Sequence, residues 1–183
     1  MKKLTQNQKL IISAIPNIPN FPTKGIQFKD MTPILAKPKV LSIVTNELVK
    51  IAKKYKFDYI VAPESRGFFF GIPLAEVLKK PFVPIRKKGK LPRPTITVTE
   101  QIEYSEVSLQ IHKDDIKPGS RILIVDDLLA TGGTLKAILK LIKLLKAKPV
   151  AILFVVELSD LNGRQLLNEY QLPLHAIVQL LGK

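Results

Sequence analysis

At residues 122–134 the chain reads ILIVDDLLATGGT. Its apolar start predicts a buried strand, and the strand's end carries two adjacent acids, Asp126 and Asp127. The turn Ala130-Thr131-Gly132-Gly133-Thr134 then leads straight into LKAILKLIKLLKA, an amphipathic helix pattern. Two glycines let backbone N–H groups approach a ligand with no Cβ in the way. The threonines add hydroxyl donors, and the helix N-terminus adds unpaired N–H groups and the positive end of its dipole. Such a combination cradles phosphate. Carboxylates repel phosphate, so Asp126 and Asp127 need a different partner: hydroxyl groups, or a magnesium ion, a short distance from the phosphate. A phosphorylated sugar has that shape. The chain contains neither G-x-x-x-x-G-K-[ST] nor G-x-G-x-x-G, so this is not a Walker loop or a Rossmann fingerprint.

The elements that must position these groups alternate. Helical periodicity over 40–55 is followed by an apolar strand at 58–64 and a helix at 71–80, with Pro73 placed in its first turn. Strands follow at 82–86, 121–125, 150–158 and 175–181, with helices at 132–147 and near 161–169. The pattern predicts an α/β fold: a mostly parallel central sheet with helices on both faces. Ligands of such sheets bind beyond the carboxyl ends of the strands. Arg66, just past the strand DYIVAPE, therefore emerges at the same edge as the acids, with a guanidinium suited to bidentate contact with phosphate oxygens. Residues 87–112 show two alternating stretches and no helix signal, which predicts a β-hairpin flap. The Pro- and Asn-rich stretch IPNIPNFPTKGIQFKDMTPIL must pack as a loop or cap, because so many prolines cannot join a central strand.

Composition narrows the classes. The 183 residues are 46% hydrophobic, enough for the core of one domain. There is no Cys, which excludes disulfides, thiolate zinc sites and a cysteine nucleophile, and His112 and His175 are too few for a histidine metal cluster. Neither a secretory signal nor an apolar run of membrane-spanning length is read, so the expectation is a cytoplasmic protein. The net charge of +14 suits nucleic acid, membrane headgroups or a polyanionic small substrate. Lys136, Lys140, Lys143 and Lys146 fall at helix-face spacing and are expected to form a solvated stripe.

The segment ILIVDDLLATGGT resembles the phosphoribosyl-pyrophosphate (PRPP) motif of type I phosphoribosyltransferases. Together with NFPTKGIQFKDMTPIL, ESRGFFFG, VPIRKKGKLP, IEYSEVSLQIHKDDIKPGSRILIVDD and VVELSDLNGR, in that order, it resembles the adenine phosphoribosyltransferase family from about Ile15 to Leu181. The resemblance implies one domain over 1–183 with the type I phosphoribosyltransferase fold, a base-binding hood from 1–36 and a flexible flap at 87–112. It implies transfer of the phosphoribosyl group from PRPP to N9 of adenine, with magnesium held mainly through PRPP, in a homodimer with neither a nucleic-acid nor a membrane partner.

By the same resemblance, Ala130, Thr131, Gly132, Gly133 and Thr134 hold the 5-phosphate, and Asp126 and Asp127 contact the ribose hydroxyls. Ser65, Arg66, Gly67, Arg86, Lys87 and Lys90 take the pyrophosphate. Phe28 stacks on adenine, the backbone of Gln27 and Lys29 reads the purine edge, and Leu158 packs from the other side. Glu103 is the expected general base, with Tyr104 helping the flap exclude water and Arg66 stabilising the leaving group. Lys29 stands where the family commonly has Arg, and Pro63 before ESRGF is also a departure. Two alternatives share the fold: an enzyme for another purine base, and a PRPP-binding nucleic-acid regulator. Ala130 replaces the Asp common in 6-oxopurine enzymes, and no helix-turn-helix pattern is read ahead of the domain.

Overall fold

The computed structural model describes residues 3–102, 105–165 and 170–182. A seven-stranded sheet has the order β5-β6-β4-β3-β7-β8-β9. Its strands are β3 (Tyr59–Pro63), β4 (Phe82–Lys87), β5 (Thr95–Ile102), β6 (Ser105–His112), β7 (Arg121–Leu129), β8 (Lys148–Leu158) and β9 (Leu174–Leu180). The run β4-β3-β7-β8-β9 is parallel, and the β5–β6 hairpin extends it antiparallel through Arg86↔Gln110 and Lys87↔Leu109.

Side chains of β7 alternate between two cores. Ile122 and Ile124 point toward helix α5 (Gly133–Leu144) and the hairpin, whereas Leu123 and Val125 point toward α3 (Pro38–Ala52) and α4 (Arg66–Leu78). Both faces are thus covered, which is why these strands read as continuous apolar runs. Helix α3 buries Val44, Thr45, Leu48, Val49 and Ala52, one stripe at helical spacing. Helix α1 (Gln6–Ser13), which the sequence reading did not anticipate, begins at a Thr5–Gln8 capping box and buries Ile11 in the same core. A small separate hairpin, β1 (Asn17–Pro19) with β2 (Gln27–Lys29), stands in the proline-rich stretch, followed by the single turn α2 (Thr32–Leu35).

The connections define one special crevice. From β3 the chain crosses by α4 to β4 on one side, and from β7 it crosses by α5 to β8 on the other. The two crossover helices lie on opposite faces, so the strand order reverses between β3 and β7. Ligand sites of open α/β sheets form outside the strand ends at such a point.

Three expectations change. Helix α4 starts at Arg66 rather than residue 71, so Pro73 is inside it. The missing N–H leaves the Phe69 carbonyl without its intrahelical donor, on an exposed side where water can serve. The lysine stripe of α5 is also not uniformly solvated, because Lys136 and Lys140 both reach the buried Glu100 of β5. In the short helix expected near 161–169, the structure has a 3-10 turn over Ser159–Leu161 followed by another short turn, and residues 166–169 lie outside the described residues.

Candidate active site

A cleft of about 530 Å³ opens at the reversal point. Its floor is the end of β7: Asp126 and Asp127 are buried, and Asp127 N–H donates to Asp126 Oδ1 at 2.8 Å. Gly132, with φ of 90°, caps α5 from the left-handed region, which favours glycine. No acid occupies the first turn of α5, so its N-terminal field stays positive toward the cleft, where Ala130, Thr131, Gly132, Gly133 and Thr134 form one wall.

Arg66 at the first position of α4 forms the facing wall with Ser65 and Glu64, and the Glu64–Ser65 peptide is cis. Arg66 Nε lies 2.9 Å from Asp127 Oδ2. That oxygen receives no donor in hydrogen-bond geometry among the described residues, so its contact with Arg66 is one of charge. The same guanidinium sits 5.4 Å from the centroid of the Phe28 ring, a cation–π distance. Phe28 is held edge-on against Phe21 at 5.0 Å, and the β1–β2 hairpin is tied by Lys29 Nζ and Gln27 Oε1 to the Asn17 amide.

Burial raises the affinity of both acids for a proton. For Asp126 the neighbouring Asp127 charge adds to the desolvation, while for Asp127 the Arg66 charge opposes it. Gly67 makes the crowding possible: a Cβ there would lie 2.9 Å from both Asp126 Oδ1 and Pro63 Cδ.

The phosphoribosyl transferase domain family matches residues 30–171. Adenine phosphoribosyltransferase of Agathobacter rectalis is 43% identical over 175 residues, 96% of this chain and 99% of the relative. The crystal structure of adenine phosphoribosyltransferase from Thermoanaerobacter pseudethanolicus is 44% identical with a TM-score of 0.91, covering 94% of this chain and 99% of that one. The Saccharomyces cerevisiae enzyme, complexed with D-2,5-dideoxy-2,5-imino-altritol 1,6-bisphosphate and adenine, is 37% identical with a TM-score of 0.87, covering 96% and 100%.

This chain belongs to the adenine phosphoribosyltransferase family.

Of the residues that family resemblance singles out, the cleft brings together Phe28, Ser65, Arg66, Lys87, Asp126, Asp127 and the whole turn from Ala130 to Thr134. Others lie outside its lining. Gly67 is beneath Asp126, Leu158 is buried at the end of β8, and Gln27 and Lys29 flank Phe28 on β2. Arg86 is ion-paired to Glu64, and Lys90 closes a backbone turn onto Lys87. Glu103 and Tyr104 lie outside the described residues.

Glu64, Leu128, Leu129 and Phe154 also line the cleft without having been singled out. Glu64 carried a signal, since it ends the apolar run of β3 just as Asp126 follows that of β7. Phe154 carried none, because its exposure to the cleft depends on its pairing with Asp126 across the β7–β8 ladder.

Proposed function

We propose that this chain is an adenine phosphoribosyltransferase, moving the 5-phosphoribosyl group of PRPP to N9 of adenine and releasing AMP and pyrophosphate. The observation that carries the reading is the placing of a buried acid pair, a glycine phosphate turn, Arg66 and Phe28 around one cleft. Family membership and a relative complexed with adenine support the same substrates.

In this reading the 5-phosphate accepts hydrogen bonds from the turn 131–134 and fixes the sugar. The ribose hydroxyls donate to Asp126 and Asp127, whose buried oxygens gain from such donors. These carboxylates also face the positive charge that builds on the ribose as the C1–O bond lengthens, so they stabilise the transition state as well as the ground state. Arg66 joins two halves of the reaction, bordering the Phe28 platform for the base while offering its remaining N–H groups to the departing pyrophosphate. Lys87 adds positive charge at the same wall. Glu103, carried by the flap, accepts the N9 proton.

The described residues contain no group of three His, Cys, Asp or Glu able to hold a metal. In this reading a magnesium ion is held mainly through PRPP oxygens, where it would neutralise charge on the leaving pyrophosphate. One domain, a hood drawn from 1–36 and a flap over 87–112 belong to the same proposal, as do a homodimer and a cytoplasmic location. The exposed Phe69, Ile72 and Val77 on α4 favour a second copy as partner. No described helix is long and apolar enough to cross a membrane.

The deciding experiment incubates the protein with PRPP, magnesium and each purine base in turn. AMP formed from adenine supports the proposal, and nucleotide formed only from hypoxanthine or guanine overturns it.

A further inference from the structure

The loop after β8 touches the phosphate turn from behind. Gly163 is buried there, and a Cβ built on it would lie 2.2 Å from the carbonyl oxygen of Ala130 and 2.9 Å from Leu129 Cγ and Cδ1. Gly163 is not among the residues with positive φ, so the glycine is demanded by space and not by backbone conformation.

The next residue fastens this contact. Arg164 donates from Nε to Glu157 Oε1 at 2.6 Å and from Nη2 to Glu157 Oε2 at 2.8 Å, and its Nη1 donates to the Leu174 carbonyl at 3.0 Å. Gln179 Nε2 donates to Glu157 Oε2 at 3.0 Å. The Glu157 side chain is only 6% exposed, and Glu157 stands opposite Leu129 in the β7–β8 ladder. The loop that presses on Ala130 is therefore anchored to the strand position beside the residue that enters the turn.

We propose that Glu157, Gly163 and Arg164 are positioning residues for the 5-phosphate turn. The bidentate ion pair has one favourable geometry, so it fixes the path of the loop. Gly163 then sets how close the loop comes to Ala130, and with it where the N–H groups of the next residues point. The backbone N–H donors of a phosphate cradle have no side-chain freedom with which to absorb an error, so a small displacement of the turn weakens those contacts together. The inference rests on the reading of 130–134 as the phosphate turn.

The test measures ribose 5-phosphate binding by calorimetry, steady-state kinetics with PRPP, and thermal unfolding. The variants are Gly163→Ala, Arg164→Lys and Glu157→Gln, with Gly133→Val as a control inside the turn. The expected result is a rise of about 10- to 100-fold in the ribose 5-phosphate Kd and the PRPP KM of Gly163→Ala and Arg164→Lys, with kcat at saturating PRPP within about two-fold of the parent. Glu157→Gln, which keeps the shape of the side chain, should show a smaller rise in the same two constants. Should Gly163→Ala fail to fold, the same split in Arg164→Lys decides. A lowered melting temperature with unchanged Kd and KM would make the cluster purely structural and overturn the inference. If Gly133→Val abolishes phosphate binding while the loop variants bind normally, the positioning role alone fails. If Gly133→Val also binds normally, the phosphate turn itself is misassigned and both readings fall.

Discussion

Arg66 and Asp127 meet at 2.9 Å across the crevice between β3 and β7, so the reversal of strand order is closed by an ion pair. Asp127 is almost wholly buried and Arg66 about one-third exposed, which leaves the guanidinium free to serve a ligand while it neutralises the acid. A lysine could supply the charge but not the planar fork. Arg66→Lys should therefore lower kcat/KM for PRPP by roughly 10- to 100-fold, the range for losing a charged hydrogen bond at about 1.5–3 kcal/mol. Steady-state kinetics at saturating adenine would check it, and parent-like values would show that the fork is not used.

Asp126 should feel any atom added to Gly67. The added Cβ of Gly67→Ala meets the acid's Oδ1 and Pro63 Cδ at 2.9 Å, and Pro63 is backbone-fixed at the end of β3. The carboxylate must give way. The expected outcome is a raised PRPP KM together with a stability loss of about 1–3 kcal/mol from overpacking. Denaturant unfolding and kinetics on the same preparation would separate the two effects.

The acid pair also predicts a pH dependence. Burial and the Asp127 charge raise the Asp126 pKa well above its ordinary 3.8. Ribose hydroxyls donate hydrogen bonds, so they favour the ionised form. Below the raised pKa the ligand must first expel a proton. Affinity for ribose 5-phosphate should therefore climb with pH through that raised value and level off above it. Asp126→Asn removes the titrating group, so its weaker binding should lose this component. Calorimetry across the acid range should show a shallower slope in Asp126→Asn than in the parent, because Asp127 and the ligand's phosphate still titrate there; equal slopes in the two proteins would overturn the assignment.

Base choice should follow the absence of a carboxylate at Ala130. A strong preference for adenine over hypoxanthine and guanine is expected, and Glu103→Gln should lower kcat by roughly 10²–10⁴ through loss of the general base. Equal turnover of hypoxanthine would contradict the first statement. An unaltered kcat in Glu103→Gln, with chemistry rate-limiting, would contradict the second and leave the substrate standing.

The parts of this site that could be read in the sequence were contiguous. Asp126, Asp127 and the turn to Thr134 fall within nine residues, so strand, acids, glycines and helix start appear in one line of text. The parallel sheet was legible because its strands are buried on both faces and lose the alternation of half-exposed strands. Contacts between distant residues were not legible. Gly163 has no local reason to be glycine, and only the folded chain places it against Ala130. The start of α4 was missed because Phe68, Phe69 and Phe70 show no polar alternation, whereas Pro73 suggested a first turn. The α5 lysines looked solvated because nothing in residues 133–144 announces that β5 lies alongside them.

That last contact carries a prediction of its own. Glu100 of β5 is 7% exposed at its side chain, and it pairs with Lys140 and, at 3.5 Å, with Lys136 of α5. The helix that follows the proposed phosphate turn therefore grips the β5–β6 hairpin, within whose sequence the proposed base Glu103 falls. Hydrogen bonding to Lys140 holds the Glu100 carboxyl below its ordinary 4.5, against the opposing effect of burial. A depressed acid stabilises the fold fully above its unfolded pKa and loses that contribution as pH falls through the folded value. Glu100→Gln should thus cost about 1–3 kcal/mol near neutrality, and the gap between the two proteins should close at low pH. If the grip also bears on the reaction, kcat should fall in Glu100→Gln while ribose 5-phosphate affinity stays at the parent value. Unfolding curves measured from pH 7 down through the carboxylate range, on both proteins, would test the first half; a gap that persists once Glu100 is protonated would assign the loss to packing. Kinetics at neutral pH would test the second, and an unchanged kcat would mean that the pair fastens the hairpin without bearing on the reaction.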